Sequence, residues 1–240
     1  MKIEYRTIKD GVLQITTADE RWYKVGEQFL PSATFILDSY PKGVGFTQWL
    51  KRNGENSDFV SQEAMDRGSR VHRAVEVLVA GGTIKHDDKI SGGGDEVELD
   101  AQEYGAVLSF QKWWEATKPT LISSEITVMN LSVGYAGTVD LILKIGDNTW
   151  LIDLKTSKEV YPSHELQVSA YSHCTDLEGN AIQVDRLAIL QVGYTRNKNG
   201  YKLTEVKDDF ETFVALKKVF DKEHGADKPS QKDFPLEIAL

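Results

Sequence analysis

The stretch Tyr135-Ala-Gly-Thr-Val-Asp140-Leu-Ile-Leu-Lys-Ile-Gly-Asp-Asn-Thr-Trp150-Leu-Ile-Asp-Leu-Lys155 decides how this chain is read. Apolar residues alternate up to Ile145, a turn follows at Gly146-Asp147-Asn148, and a second apolar run ends in Asp153-x-Lys155. The pattern predicts two antiparallel strands, 135–145 and 149–156. With Asp147-Asn148 as a two-residue loop, Asp140 stands opposite Lys155; a three-residue loop sets it opposite Leu154. Asp153 and Lys155 are two apart on one strand and so share a face.

A strand at 121–130, joined through a loop at 131–134, adds Glu125 opposite Asp140. Glu125, Asp140 and Asp153 then stack at one end of the sheet. Like charges placed this way repel, and a bound cation resolves the conflict. Oxygen donors favour Mg²⁺ or Mn²⁺. Such an ion polarises a phosphate and acidifies a water, while Lys155 orients or deprotonates that water or neutralises developing charge. The competing expectation is plain: Asp-x-Lys on a strand usually marks a solvated edge.

Around this hairpin the pattern predicts short strands within 2–17 and 21–30. A helix is expected from Pro31 with Ser32 as its cap, and another at about 42–53. A longer one is expected over 62–80, with Ser61 as N-cap and Gly81-Gly82 as its stop. Residues 81–95, rich in glycine and charge, read as a mobile loop. Helices at 98–117, 163–177 and 208–223, strands at 186–194 and 201–206, and an irregular tail with Pro229 and Pro235 complete the chain. Helices covering a mixed sheet make an α/β fold.

The chain has 240 residues, 40% of them hydrophobic, enough for one sizeable core. Its single cysteine, Cys174, excludes an intrachain disulfide and an all-cysteine iron–sulfur cluster. With no signal-like or membrane-spanning run, a reducing, cytoplasmic setting is expected. The net charge of −9 excludes a general nucleic-acid coating protein, yet allows an enzyme with one local channel for nucleic acid.

Two further clusters have chemical content. Arg67-Gly-Ser-Arg-Val-His72 lies on the predicted 62–80 helix, where a glycine that weakens the helix suggests close approach to another element. Gln167 and Tyr171, four apart, share a helix face. Arg67, Arg70, Arg73, Lys51, Arg52, Lys158, Arg196, Lys198 and Lys202 are candidate phosphate contacts. Trp22, Tyr23, Trp49, Trp113 and Trp114 include at most one or two base-stacking platforms.

In order, Gly68/His72, Glu125/Gly137/Asp140, Asp153/Lys155 and Gln167/Tyr171 resemble the core motifs of the PD-(D/E)XK nuclease superfamily, in its RecB-like exonuclease branch. The resemblance covers about residues 60–175. The run from Arg21-x-Tyr23 through Leu30-Pro-Ser-x-Thr34-x-Ile-Leu37 to Arg67-Gly-Ser-x-Val-His72 is similar to mitochondrial genome maintenance exonuclease-type proteins and their phage relatives, over about 20–195. Val139 stands where the superfamily's name has proline, as is ordinary in this branch.

The resemblance implies a restriction-endonuclease-like core. One domain is expected, with an N-terminal extension (1–60), a core (61–206) and a C-terminal helix and tail (207–240). It implies metal ligation by His72, Asp140, Asp153 and the carbonyl of Leu154, with Lys155 as the catalytic lysine. Gln167 and Tyr171 would support the site and DNA, and Glu125 would assist near the metal. It implies a Mg²⁺- or Mn²⁺-dependent DNA exonuclease, without an iron–sulfur cluster, acting in replication, recombination or repair and of phage type. DNA ends, and a recombination or single-strand-binding protein, are the expected partners. The rival readings are a structure-specific or flap endonuclease, a non-catalytic DNA-binding protein on the same scaffold, and a hydrolase of another phosphate ester.

Overall fold

A computed structural model describes residues 3–9, 11–17, 20–92, 96–225 and 229. The chain opens with a four-stranded antiparallel meander: β1 (Glu4–Lys9), β2 (Val12–Thr16), β3 (Arg21–Val25) and β4 (Gln28–Pro31). Helix α1 (Ala33–Leu37) starts immediately afterwards. Its cap is the expected one, since the Ser32 Oγ accepts from the Phe35 N–H at 3.0 Å. Next come α2 (Val44–Asn53), a 3₁₀ turn (Gly54–Asn56) and α3 (Ser57–Val79). A ribbon of β5 (Lys89–Ser91) and β6 (Glu96–Glu98) leads to α4 (Ala101–Thr117). The rest is β7 (Thr120–Asn130), β8 (Tyr135–Ile145), β9 (Asn148–Lys155), α5 (Pro162–Ser172), β10 (Arg186–Val192), β11 (Tyr201–Val206) and α6 (Phe210–His224).

Strands β7 to β11 form a mixed five-stranded sheet in the order β11-β10-β9-β8-β7. Only β9 and β10 run parallel within it, and α5 makes the crossover between them. Helices cover both faces. One layer packs Val71, Ala74 and Val75 of α3 and Phe110 and Trp113 of α4 onto Leu143, Ile152, Leu154 and Leu190. The other packs Ile36 of α1, Leu166 and Ala170 of α5 and Phe213 and Phe220 of α6 onto Leu151, Leu187 and Ile189. The fold is therefore α/β, with β9 central and covered on both sides, which is why Asp153 is not on a solvated edge.

The N-terminal meander is attached beside β8. The Tyr23 hydroxyl lies 3.0 Å from Thr138 Oγ1, and Ser32 bridges to Ala136. Among the described residues, no helix is long and apolar enough to cross a membrane.

Several local expectations need correction. The β8–β9 turn is Gly146-Asp147, since Ile145 pairs with Asn148 and Leu141 with Ile152. Gly146 takes φ +60, which suits it to lead the turn. This register differs by two residues from that of the expected two-residue loop and by one from that of the three-residue loop. Continued past its last pair, it sets Asp140 level with Asp153 rather than Lys155 or Leu154. Helix α3 begins at Ser57, so Ser61 lies inside it and Asn56 takes the N-cap position. The 3₁₀ turn feeds directly into α3 and leaves Ser61 no end to cap. Part of the expected mobile loop is the β5–β6 ribbon; Gly93, Gly94 and Asp95 lie outside the described residues. Helix α4 starts after Asp100, whose carboxylate accepts from the Gln102 and Glu103 N–H groups. Helix α5 stops at Ser172 because the backbone from Cys174 onward pairs with Met129, Asn180 and Ile182 instead. Strand β10 ends at Val192. The expected tail, apart from Pro229, lies outside the described residues.

Candidate functional site

Helix α3 carries His72 to the sheet because Gly68, one turn earlier, passes the end of β9. A Cβ there would stand 3.4 Å from Thr156 Oγ1, in van der Waals contact, so the helix runs close to the strand end at this point. The His72 Nδ1 then lies 3.4 Å from Asp140 Oδ1. The other Asp140 oxygen accepts from the Leu154 N–H at 2.7 Å. That bond ties the carboxylate of β8 to the backbone of β9 where regular pairing between them has stopped.

The sheet is irregular at this point. Pairs Ser124↔Leu141 and Ile126↔Val139 flank Glu125 and Asp140, so these two residues stand opposite each other as expected. Glu125 has φ +51, an uncommon left-handed conformation for a non-glycine residue. Val139 packs with the α1/α5/α6 layer and Leu141 with the α3/α4 layer. Strict alternation therefore breaks at Asp140. Backbone strain of this kind costs about 1–3 kcal/mol and concentrates at functional sites.

His72, Glu125 and Asp140 each present one donor atom, and the three atoms lie within 4.8 Å of one another. They line a cavity of about 10 Å³ with Glu76, Ser124 and Leu154. That is room for one water-sized particle. One imidazole and two carboxylates around such a space fit a single divalent cation, and the imidazole makes Mn²⁺ as acceptable as Mg²⁺.

Asp153, 2% exposed, is directed elsewhere. Its Oδ2 is 2.7 Å from Lys155 Nζ, at an angle that leaves the oxygen without a well-directed hydrogen bond. Gln167 of α5 spans the pair: its Nε2 donates to Asp153 Oδ1 at 3.0 Å, and its Oε1 accepts from Lys155 Nζ at 3.2 Å. The same Nε2 is 3.2 Å from the Tyr171 hydroxyl. A Cβ at residue 137 would overlap the Tyr171 ring, which explains the glycine three residues before Asp140. Among the described residues, the close donor cluster thus contains Glu125 where the resemblance put Asp153. Leu154 reaches the site through its N–H and lines the cavity.

The charges are strongly coupled. Burial lowers the His72 pKa, but the Asp140 carboxylate outweighs it and the net shift is upward. Burial raises Asp140, while His72, Lys155 and the Leu154 N–H bring it below the ordinary value. Asp153 is pushed up to about 6, chiefly by burial. Lys155 is raised, because Asp153 and Asp140 overcome the desolvation that would lower it. Glu125 is pushed up to about 7 by desolvation and Asp140; as the residue is exposed, solvent screens part of that effect.

His164 was not among the expected site residues. Burial and the nearby Lys155 charge lower its pKa to about 3, which keeps the ring neutral. Its position three before Gln167 puts it on the same helix face, which was the available signal.

Some of the peripheral candidates are tied up in the fold, in keeping with at most one or two of the aromatics serving as platforms. Trp22, Tyr23 and Trp113 are core residues, exposed by 2% or less, and cannot stack on bases. Arg70 is committed to Glu103 in a buried ion pair, with its Nε 2.8 Å from the carboxylate. Arg196 pairs with Glu159 and Arg67 with Glu63, but both guanidinium groups stay at the solvent-exposed surface. Lys51, Arg52, Arg73, Lys158, Lys198 and Lys202 are exposed.

No family model matches the chain, and no curated protein matches it. Among solved structures, it is similar to a chain described as the crystal structure of SSO0001, at 15% identity. That match covers 69% of this chain and 76% of the other, with a TM-score of 0.33, too low to bear on function.

Proposed function

We propose that this protein is a metal-dependent deoxyribonuclease with a restriction-endonuclease-like core, acting as an exonuclease on DNA ends. The observation that carries the proposal is one convergence. His72, Glu125 and Asp140 gather around a cation-sized cavity, and Asp140 is tied through the Leu154 N–H to the strand that bears Asp153 and Lys155. A binding module has no use for carboxylates facing a phosphate backbone.

His72, Glu125 and Asp140 would hold Mg²⁺ or Mn²⁺. When bound, the cation polarises the scissile phosphate and acidifies an adjacent water for in-line attack. Lys155 is held cationic by its carboxylate neighbours, so it is suited to stabilising negative charge on the phosphate rather than to removing a proton. Gln167 fixes both Asp153 and Lys155, and Tyr171 supports Gln167. Neutral His164, near Lys155, adds no competing positive charge. The proposed setting is cytoplasmic DNA replication, recombination or repair, with a recombination or single-strand-binding protein as partner.

The test is digestion of end-labelled linear DNA, single- and double-stranded, beside a closed circle. Each is run with Mg²⁺, Mn²⁺ or EDTA, for wild type and Lys155→Ala. Metal-dependent loss of linear DNA alone, abolished in the variant, supports the proposal. Cutting of the circle moves the assignment to a structure-specific or flap endonuclease. Binding without cutting of any substrate moves it to a non-catalytic protein.

A further inference from the structure

Helix α2 has no buried residue, and its main neighbours are the 3₁₀ turn and α3 rather than either sheet. Val44, Phe46 and Leu50 are exposed on it, and Phe59 is exposed at the start of α3. Phe46 and Trp49, three apart on one face, stack with centroids 5.9 Å apart and planes 19° from parallel. The Lys42 Nζ lies 5.0 Å from the Phe46 ring centroid, although it also approaches Asp38 at 3.4 Å.

The charge of this segment is opposite to that of the whole. Residues 42–53 contain Lys42, Lys51 and Arg52 and no acidic residue, in a chain of net charge −9. An apolar protein partner would need the exposed aromatics but not the cations. A duplex would meet the cations but keeps its base faces stacked inside. A single strand offers both phosphates and open base faces, and aromatic stacking beside basic side chains is the usual way of holding one.

We propose that α2 is a grip for single-stranded DNA, with Phe46 and Trp49 stacking on unpaired bases and Lys42, Lys51 and Arg52 facing the backbone. The proposal rests on the nuclease reading and adds to it a place outside the cation site where an unpaired stretch of DNA would be held. Helix α3 connects grip and site: from Phe59 to His72 is about 20 Å along the axis at 1.5 Å per residue. A strand held on α2 would present a phosphate a few nucleotides further along to the His72–Asp140 site.

The test is fluorescence anisotropy in EDTA, which stops cleavage. Labelled oligo-dT and a duplex of equal length are titrated with wild type, Phe46→Ala/Trp49→Ala and Lys51→Gln/Arg52→Gln. The aromatic variant should bind oligo-dT about tenfold or more weakly and duplex within about twofold of wild type. The basic variant should show a shallower dependence of affinity on salt. Quenching of tryptophan fluorescence by oligo-dT in wild type that is lost in Phe46→Ala/Trp49→Ala is the direct signature. Circular dichroism checks folding, which changes at exposed Phe46, Lys51 and Arg52 and half-buried Trp49 should leave intact. Unchanged oligo-dT affinity in the aromatic variant overturns the proposal, as does equal loss for duplex. So does sedimentation showing that these aromatics hold two copies together while DNA affinity is unchanged. If wild type cuts DNA and the aromatic variant binds like wild type, the grip alone fails. If wild type binds oligo-dT through α2 and cuts nothing, the nuclease reading fails and the grip stands.

Discussion

Lys155 Nζ and Asp153 Oδ2 lie 2.7 Å apart, on side chains two residues apart in the central strand of the sheet. Neither charge is tolerable there alone. Burial drives Asp153 toward its neutral form and Lys155 toward its own, and each holds the other charged. The pair therefore serves stability and, on the proposed function, chemistry as well.

Lys155→Met removes the charge that holds Asp153 down to about 6. Its cost should therefore grow with pH, toward the loss of about 3–5 kcal/mol for a broken buried pair where Asp153 is forced to ionise. Asp153→Asn/Lys155→Met should recover most of that loss, since it leaves no lone charge. Neither variant should regain cleavage, with the loss at about 10²–10⁴-fold or more. Urea denaturation and the linear-DNA assay read the two effects separately. A double variant less stable than Lys155→Met would sink the pairing argument.

Gly137 and Tyr171 meet across the space between β8 and α5. Gly137→Ala should push the Tyr171 ring away and loosen Gln167, at a cost of about 1–3 kcal/mol. Gly137→Ala/Tyr171→Leu should be more stable than the sum of the single changes predicts, because a smaller side chain removes the clash. Additive thermal shifts across the four proteins would show that the overlap is relieved elsewhere.

Much of this was legible in the sequence because period-two patterns specify faces well. The expected β8–β9 turn was off by one or two residues depending on the loop length assumed. Asp153 and Lys155 nevertheless share a face by their spacing on one strand whatever the turn, and Asp140 stayed beside them. The β7–β8 register placed Glu125 opposite Asp140 from loop length alone. What could not be read was the left-handed backbone at Glu125 and the break in alternation at Asp140, since both arise where strand pairing yields to side-chain bonding. Nor does a residue type reveal its partner across the fold. Arg70 reads as a phosphate contact until Glu103, 33 residues away, is seen to occupy it. Trp22 and Trp113 read as candidate platforms until the layers that bury them are in place.

Arg70→Met is the control that this distinction provides. It strands a carboxylate that is 3% exposed, so it should destabilise the protein by about 3–5 kcal/mol. Affinity of the folded variant for DNA should change little, because the guanidinium does not face solvent freely. Anisotropy titration below the melting range decides it: a loss of DNA affinity comparable to that of Lys51→Gln/Arg52→Gln would return Arg70 to the DNA surface.

The metal-free protein should be most stable at weakly acidic pH. Asp153 titrates at about 6 in the fold against 3.8 when free. Between these values the folded chain keeps a proton that the unfolded chain has released, so stability falls as pH rises through about 6. Glu125, at about 7 against 4.5, acts in the same direction, reduced by its exposure. His72, raised above 6.5, likewise loses its contribution as pH rises through its folded value. Asp140 opposes at the acid end: its lowered value supplies stability above 3.8 that is lost as pH falls through the folded pKa. The melting temperature in EDTA should therefore drop by a few degrees between pH 5.5 and 8. Mn²⁺ should restore more at pH 8 than at pH 5.5, because protons compete for the same carboxylates and imidazole. Glu125→Gln should weaken the Mn²⁺ increment and flatten the part of the profile between pH 4.5 and about 7. Differential scanning fluorimetry across pH, with and without Mn²⁺, measures all of this. A Mn²⁺ increment intact in Glu125→Gln would remove Glu125 from the proposed cation site and leave His72 and Asp140, whereas one that is the same at both pH values would count against both Glu125 and His72 as ligands.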